Sequence, residues 1–317
     1  MSIIEKAVNR LGSIEKAALA QAGKVEVVGP AAGVEAPAND APARDSAEAS
    51  LRQELASGSR SLHGPTKAAR SANYGSIDLE KLRAAGMITP DSKKSQLSEE
   101  FRIIKRPLLT NAFKPSGAAI KHGNLVMVTS ALPGEGKSFT AINLAMSIAM
   151  EMDHTVLLVD ADVAKPSLPA FLGVQGERGL MDLLLDDRLR FSDVLIKTNV
   201  PRLNILPAGQ FHARATELLA SDAMSRLVSE MAARYPDRLI IFDSPPLLAT
   251  TESRVLASRM GQIVMIVEAA KTPREVVREA LAQIDKCEVV GLLLNKGTGR
   301  LGDDQYGYSP YGYGYGV

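Results

Sequence analysis

Beyond residue 123, six apolar runs of strand length punctuate the chain: NLVMVTS (124–130), TVLLVDA (155–161), LNILPA (203–208), RLIIFDS (238–244), QIVMIVE (262–268) and VVGLLLN (289–295). They are continuous rather than alternating, as expected of parallel strands buried on both faces. Helical patterns at 137–151, 214–234 and 273–286 separate several of them. This alternation predicts an α/β domain with a mostly parallel sheet and helices on both faces.

The 317 residues offer 45% apolar side chains for a core, yet no apolar run reaches 18 residues, so no membrane-spanning helix is expected. The opening MSIIEKAVNRLGSIEK is charged and lacks an uninterrupted apolar stretch, unlike a signal peptide. A net charge of +1 argues against nucleic acid as a partner. The single cysteine, Cys287, rules out an internal disulfide and fits a reducing cytosol. No motif surrounds it, so a core role is expected.

The flanks differ in kind from this domain. In residues 1–20, Ile4, Val8, Leu11, Ile14 and Ala18 share one helical face. Such an amphipathic helix could pack on its own domain or dock a partner. Residues 21–75 are rich in Ala, Pro, Gly and Ser and read as a disordered linker. Residues 76–96 form a short helical lead-in, with Ser76 or Asp78 near the helix start, Gly86 near its end and Pro90 as a stop. The domain spans 97–296. A flexible tail, 297–317, carries Tyr306, Tyr308, Tyr311, Tyr313 and Tyr315 interleaved with glycine.

The first run ends at Ser130, and ALPGEGKS (131–138) then opens a helical stretch. This is the phosphate-loop pattern GxxxxGK[ST], with Ala131 in place of the first glycine. Gly134 and Gly136 let backbone N–H groups turn inward around a phosphate, and the helix N-terminus adds partial positive charge. Pro133, Gly134, Glu135, Gly136, Lys137, Ser138 and Phe139 are therefore the expected nucleotide-binding residues. Lys137 would meet the β- and γ-phosphates of ATP, and Ser138 would offer its hydroxyl to Mg²⁺.

Two further runs end in acids. Asp160 and Asp162 lie two residues apart at a strand end, so both side chains point the same way. Strand C-termini are where open α/β sheets bind ligands; a helix cap or a solvated strand end is the plainer alternative. Asp243 ends RLIIFD in the Walker B manner and would hold Mg²⁺ directly or through water. Pro245 and Pro246 then force the chain out of the ladder.

A phosphate loop, a DxD strand and a Walker B aspartate together resemble the bacterial tyrosine kinases, which share no HRD or DFG motif with eukaryotic kinases. More narrowly, EEFRIIKRPLLTNAF, the stretch MVTSALPGEGKS through VDADVAKPS, and RYPDRLIIFDSPPLLATTESRVLASRMGQ are similar to the tyrosine autokinases of exosortase-linked exopolysaccharide loci. The resemblance implies a P-loop NTPase fold, with ATP and Mg²⁺ as cofactors. It makes Lys137 catalytic, and gives one of Asp160 and Asp162 the task of deprotonating the attacking tyrosine. Ser138, Asp160 and Asp243 would hold the metal, and Asn295 would contact adenine. Glu99, Arg102 and Lys105 match a subunit-contact motif, ExxRxxR, with Lys for the last Arg. Ala164 stands where the family often has an arginine.

The resemblance also gives the tail a purpose. Its tyrosines would be phosphoacceptors, presented to a neighbouring subunit of a ring homo-oligomer. From Lys296 to Tyr306 the chain can extend roughly 33–36 Å. The partner implied is a membrane polysaccharide co-polymerase, which would recruit a cytoplasmic kinase to the inner face of the plasma membrane. Two alternatives stay open. A MinD/ParA-like regulatory ATPase would carry a second lysine where this chain has Leu132, and would lack a tyrosine tail. A non-enzymatic scaffold would use its nucleotide structurally and its tail as an adhesive.

Overall fold

The computed structural model describes residues 73–92, 95–113, 120–235 and 237–297. The helix expected at 1–20, the linker up to residue 72 and the tail from residue 298, with all five of its tyrosines, lie outside the described residues.

Among the described residues, eight strands form one sheet in the order β1-β4-β5-β3-β6-β2-β7-β8. In chain order these are β1 (Tyr74–Gly75), β2 (Leu125–Ser130), β3 (Thr155–Asp160), β4 (Ile196–Thr198), β5 (Leu203–Leu206), β6 (Arg238–Asp243), β7 (Gln262–Glu268) and β8 (Val289–Asn295). Every adjacent pair is parallel except β4 and β5, which are antiparallel. The six apolar runs are β2, β3, β5, β6, β7 and β8, so the α/β expectation holds. The two-residue β1 lies at the end of the segment read as linker; there Gly75 is packed beneath Ile196 and Val174.

Ten helices connect and cover the strands among the described residues. They are α1 (Leu79–Ala84), α2 (Gln96–Phe113), α3 (Lys137–Ala149), α4 (Leu168–Leu172), α5 (Leu180–Leu185), α6 (Phe191–Val194), α7 (Ala215–Ala220), α8 (Asp222–Arg234), α9 (Thr251–Ala257) and α10 (Arg274–Leu281). Asp78 caps α1, its carboxylate accepting from the Lys81 N–H at 2.9 Å. The helix expected over 214–234 is broken at Ser221. That residue takes extended backbone, and its hydroxyl caps α8. Pro107 sits inside α2 on its solvent side, where losing one ladder bond costs least.

The central strands are buried on both faces, and successive residues feed two different cores. Val126, Val128, Val156, Leu158, Leu239 and Ile241 face a cluster completed by α2, α3 and the lead-in residues Ile77, Leu82 and Ile88. Leu125, Met127, Leu157, Val159, Ile240 and Phe242 face the other, built with α5, α8 and α9. This double burial fixes the strand register. It sets Asp160 directly opposite Asp243 on β3 and β6, and Val128 of β2 opposite Asp243.

Candidate active site

The loop after β2 is shaped by its glycines. Gly134 (φ 85°) and Gly136 (φ 101°) both lie in the left-handed region, which favours glycine. At Gly136 a Cβ would run into the Asn295 side-chain amide. Gly136 is also the N-cap of α3, and among the described residues no side chain caps that end. The first N–H groups of a 13-residue helix are thus left for a ligand.

Charge gathers beside this loop. Lys137 Nζ lies 3.2 Å from Asp162 Oδ2, with both side chains largely buried. The Ser138 hydroxyl meets that of Ser167 at 3.2 Å. Asp160 Oδ2 accepts the Ser167 and Leu168 N–H groups, each at 3.0 Å. Its other oxygen is buried, with no hydrogen-bond partner among the described residues. Burial pushes the Asp160 pKa up to about 6 against those two N–H groups. Asp243 is fully enclosed, and among the described residues neither of its oxygens finds a hydrogen bond of good geometry. Burial pushes it up to about 7, against the pull of the nearby Ser138 hydroxyl and Lys137 ammonium.

These residues fit a magnesium nucleotide. The uncapped helix end suits phosphate, and the orphaned carboxylate oxygens suit a divalent cation. No cage of three or more His, Cys, Asp or Glu forms among the described residues. Magnesium could therefore take Ser138 with one or two carboxylates, leaving its other positions to phosphate and water.

Residues 121–295 match the family described as ParA: NUBPL iron-transfer P-loop NTPase. The tyrosine-protein kinase YwqD of Bacillus subtilis is 32% identical over 229 residues, covering 72% of this chain and 90% of YwqD. The chain belongs to the bacterial tyrosine kinases of the ParA family. The putative tyrosine-protein kinase EpsB of Ralstonia nicotianae is 36% identical over 217 residues, covering 66% of this chain but only 28% of EpsB. The chain thus spans little more than a quarter of that relative's length. Among solved structures, the chimerical protein CapA2B2 superimposes with a TM-score of 0.55 at 26% identity, covering 69% of this chain and 93% of that one. The VpsO kinase domain gives a TM-score of 0.51 at 28% identity, covering 62% and 95%.

Lys137, Ser138, Asp160, Asp162 and Asp243 lie together beside the loop. Three nucleotide-binding expectations need refinement. The Glu135 carboxylate does not line the phosphate cradle. It is buried, and it accepts the Leu132 N–H at 2.7 Å, the Glu268 N–H at 3.2 Å and the Thr272 hydroxyl. The Asn295 amide nitrogen is already engaged, donating to the Glu135 carbonyl at 2.8 Å. Phe139 is half-buried against the core rather than open at the site.

The expected subunit-contact residues divide. Glu99 and Arg102 pair with each other at 3.1 Å on the exposed side of α2. Lys105 points inward and is 5% exposed. It donates to the Ser147 carbonyl and pairs with Glu151, each at 2.6 Å. Its charge is spent on the end of α3 rather than offered to a neighbour. One participant was missed from sequence. Lys296 donates to the Gly134 carbonyl at 2.6 Å and pairs with Glu268 at 3.3 Å. A lysine directly after Asn295 at a strand end was the available signal.

Proposed function

We propose that this chain is an ATP-dependent protein-tyrosine kinase that phosphorylates its own C-terminal tyrosines, Tyr306, Tyr308, Tyr311, Tyr313 and Tyr315, between subunits of a ring. The observation that carries the reading is the gathering of Lys137, Ser138 and three strand-end carboxylates around one uncapped helix N-terminus. The phosphate loop seats ATP through the backbone N–H groups of Pro133–Phe139 other than proline, and Lys137 neutralises the β- and γ-phosphates. Ser138, Asp160 and Asp243 are the residues that would hold Mg²⁺, which adds charge neutralisation when bound.

The acceptor phenol oxygen forms a bond to the γ-phosphorus as the bond to the β,γ-bridging oxygen breaks and ADP departs. The phenol proton passes to Asp162, the member of the DxD pair that keeps slight exposure and stands beside Lys137. Each phosphotyrosine adds about −1.5 to −2 charge, so a phosphorylated tail repels its neighbours and loosens the ring. Eps and Cap names among the relatives support a setting in exopolysaccharide or capsule synthesis. There a membrane co-polymerase would recruit the kinase to the cytoplasmic face, with Glu99 and Arg102 at the subunit contact.

The test mixes Lys137→Met protein, whose tail is intact, with an active form lacking residues 298–317, under Mg·ATP. Phosphotyrosine on the Lys137→Met tail is the expected result; an unlabelled tail rules out transfer between subunits. The ParA match favours a second reading, a regulatory ATPase. ATP hydrolysis by the full chain with no phosphotyrosine would select it.

A further inference from the structure

Glu135 occupies a nucleotide-binding motif, yet its carboxylate faces away from the cradle. It is 2% exposed and gathers donors from three places: the Leu132 N–H within the loop, the Glu268 N–H at the end of β7, and the Thr272 hydroxyl just before α10. Its own carbonyl accepts from Asn295 at the end of β8. The segment it grips contains Ala270 at φ 57°, a left-handed conformation that alanine adopts only under constraint. The phosphate loop is therefore tied to the β7–α10 turn by one buried side chain.

We propose that Glu135 is a positioning residue for nucleotide, setting the shape of the phosphate loop from outside the cradle, with Thr272 acting through it. A loop of glycines has little shape preference of its own. The Leu132 N–H, held by the carboxylate at the loop's first turn, fixes where the following N–H groups point. Charge-assisted bonds to a buried carboxylate are strong and directional enough to do this. By the same links, what moves the β7–α10 turn changes nucleotide affinity, and nucleotide changes the turn. The inference rests on the nucleotide half of the proposed function and is independent of its tyrosine half.

Thr272→Val removes one donor to the carboxylate and leaves the loop sequence intact. Glu135→Gln keeps the shape but replaces one acceptor oxygen with an amide that cannot accept. The full chain and these variants, singly and combined, are titrated with fluorescent N-methylanthraniloyl-ADP and magnesium, alongside thermal midpoints without nucleotide. Thr272→Val is expected to raise Kd about three- to ten-fold and Glu135→Gln about ten-fold or more, the scale of one and of several hydrogen bonds. The double variant should bind no more weakly than Glu135→Gln alone, and KM for ATP should rise with Kd while kcat changes less.

A folded Glu135→Gln protein that binds like wild type overturns the proposal. So does a Thr272→Val effect that persists undiminished beside Glu135→Gln. Should Glu135→Gln not fold, Thr272→Val decides alone, and an unchanged Kd refutes the role. If wild type binds the ADP probe but makes no phosphotyrosine, the kinase reading falls and the Kd comparison still stands. If wild type does not bind the probe, both fall.

Discussion

Asp243 shows how the site trades stability for chemistry. Its folded pKa, about 7, lies well above the ordinary carboxylate value because the strand end that holds it is dry. Asp160, at about 6, is raised for the same reason. A raised carboxylate stabilises the fold at low pH, where it is neutral in both states. That contribution is lost as pH climbs through 6 to 7 and the buried charge appears. The protein without nucleotide or magnesium should therefore lose on the order of a few kcal/mol between about pH 4 and 8. Asp243→Asn should flatten this slope in a pH series of thermal melts while abolishing magnesium-dependent nucleotide binding. A slope of the opposite sign would contradict the assignment. The aspartates were legible in the sequence because each closes an apolar run, and burial at a strand end follows from that pattern. The direction of the Glu135 carboxylate was not legible. Its partners Glu268 and Thr272 lie more than 130 residues away, and only the sheet order brings them near.

α2 separates a structural charge from available ones. Lys105 satisfies a carbonyl in the last turn of α3 and the Glu151 carboxylate, and that contact holds the Glu151 pKa below its usual value. Lys105→Ala should cost about 1–3 kcal/mol, measured by urea denaturation, because a carbonyl in a closely packed place loses its donor. Arg102→Ala breaks only an exposed pair and should change stability by less than about 1 kcal/mol. Any larger effect of Arg102→Ala should appear in the sedimentation coefficient, not in the melt. Elements differed in how readable they were. Long strands such as β7 declare themselves by an unbroken apolar run, here the five residues Ile263, Val264, Met265, Ile266 and Val267. β1 and β4 are two and three residues long, too short to show a period. Ser221 splits α7 from α8 by capping chemistry within a continuous helical pattern, so the pattern alone could not find the break.

At the scale of the molecule, the sheet order decides when the site can exist. β2 carries the phosphate loop, yet its neighbours on either side are β6 and β7, formed by residues 238–268. Aspartates on β3 and β6 come into register across about eighty residues of chain. Such distant pairings must wait for the whole span between them. During synthesis the ribosome will have released the loop, Lys137 and Asp160 long before their setting is available, and the early chain carries a long apolar strand with open edges. Nascent chains stalled so that only residues up to about 230 have emerged should fail to retain a fluorescent ADP analogue. Those with the segment through Asn295 free of the exit tunnel should hold it, and capture by a strand-binding chaperone should fall over the same interval.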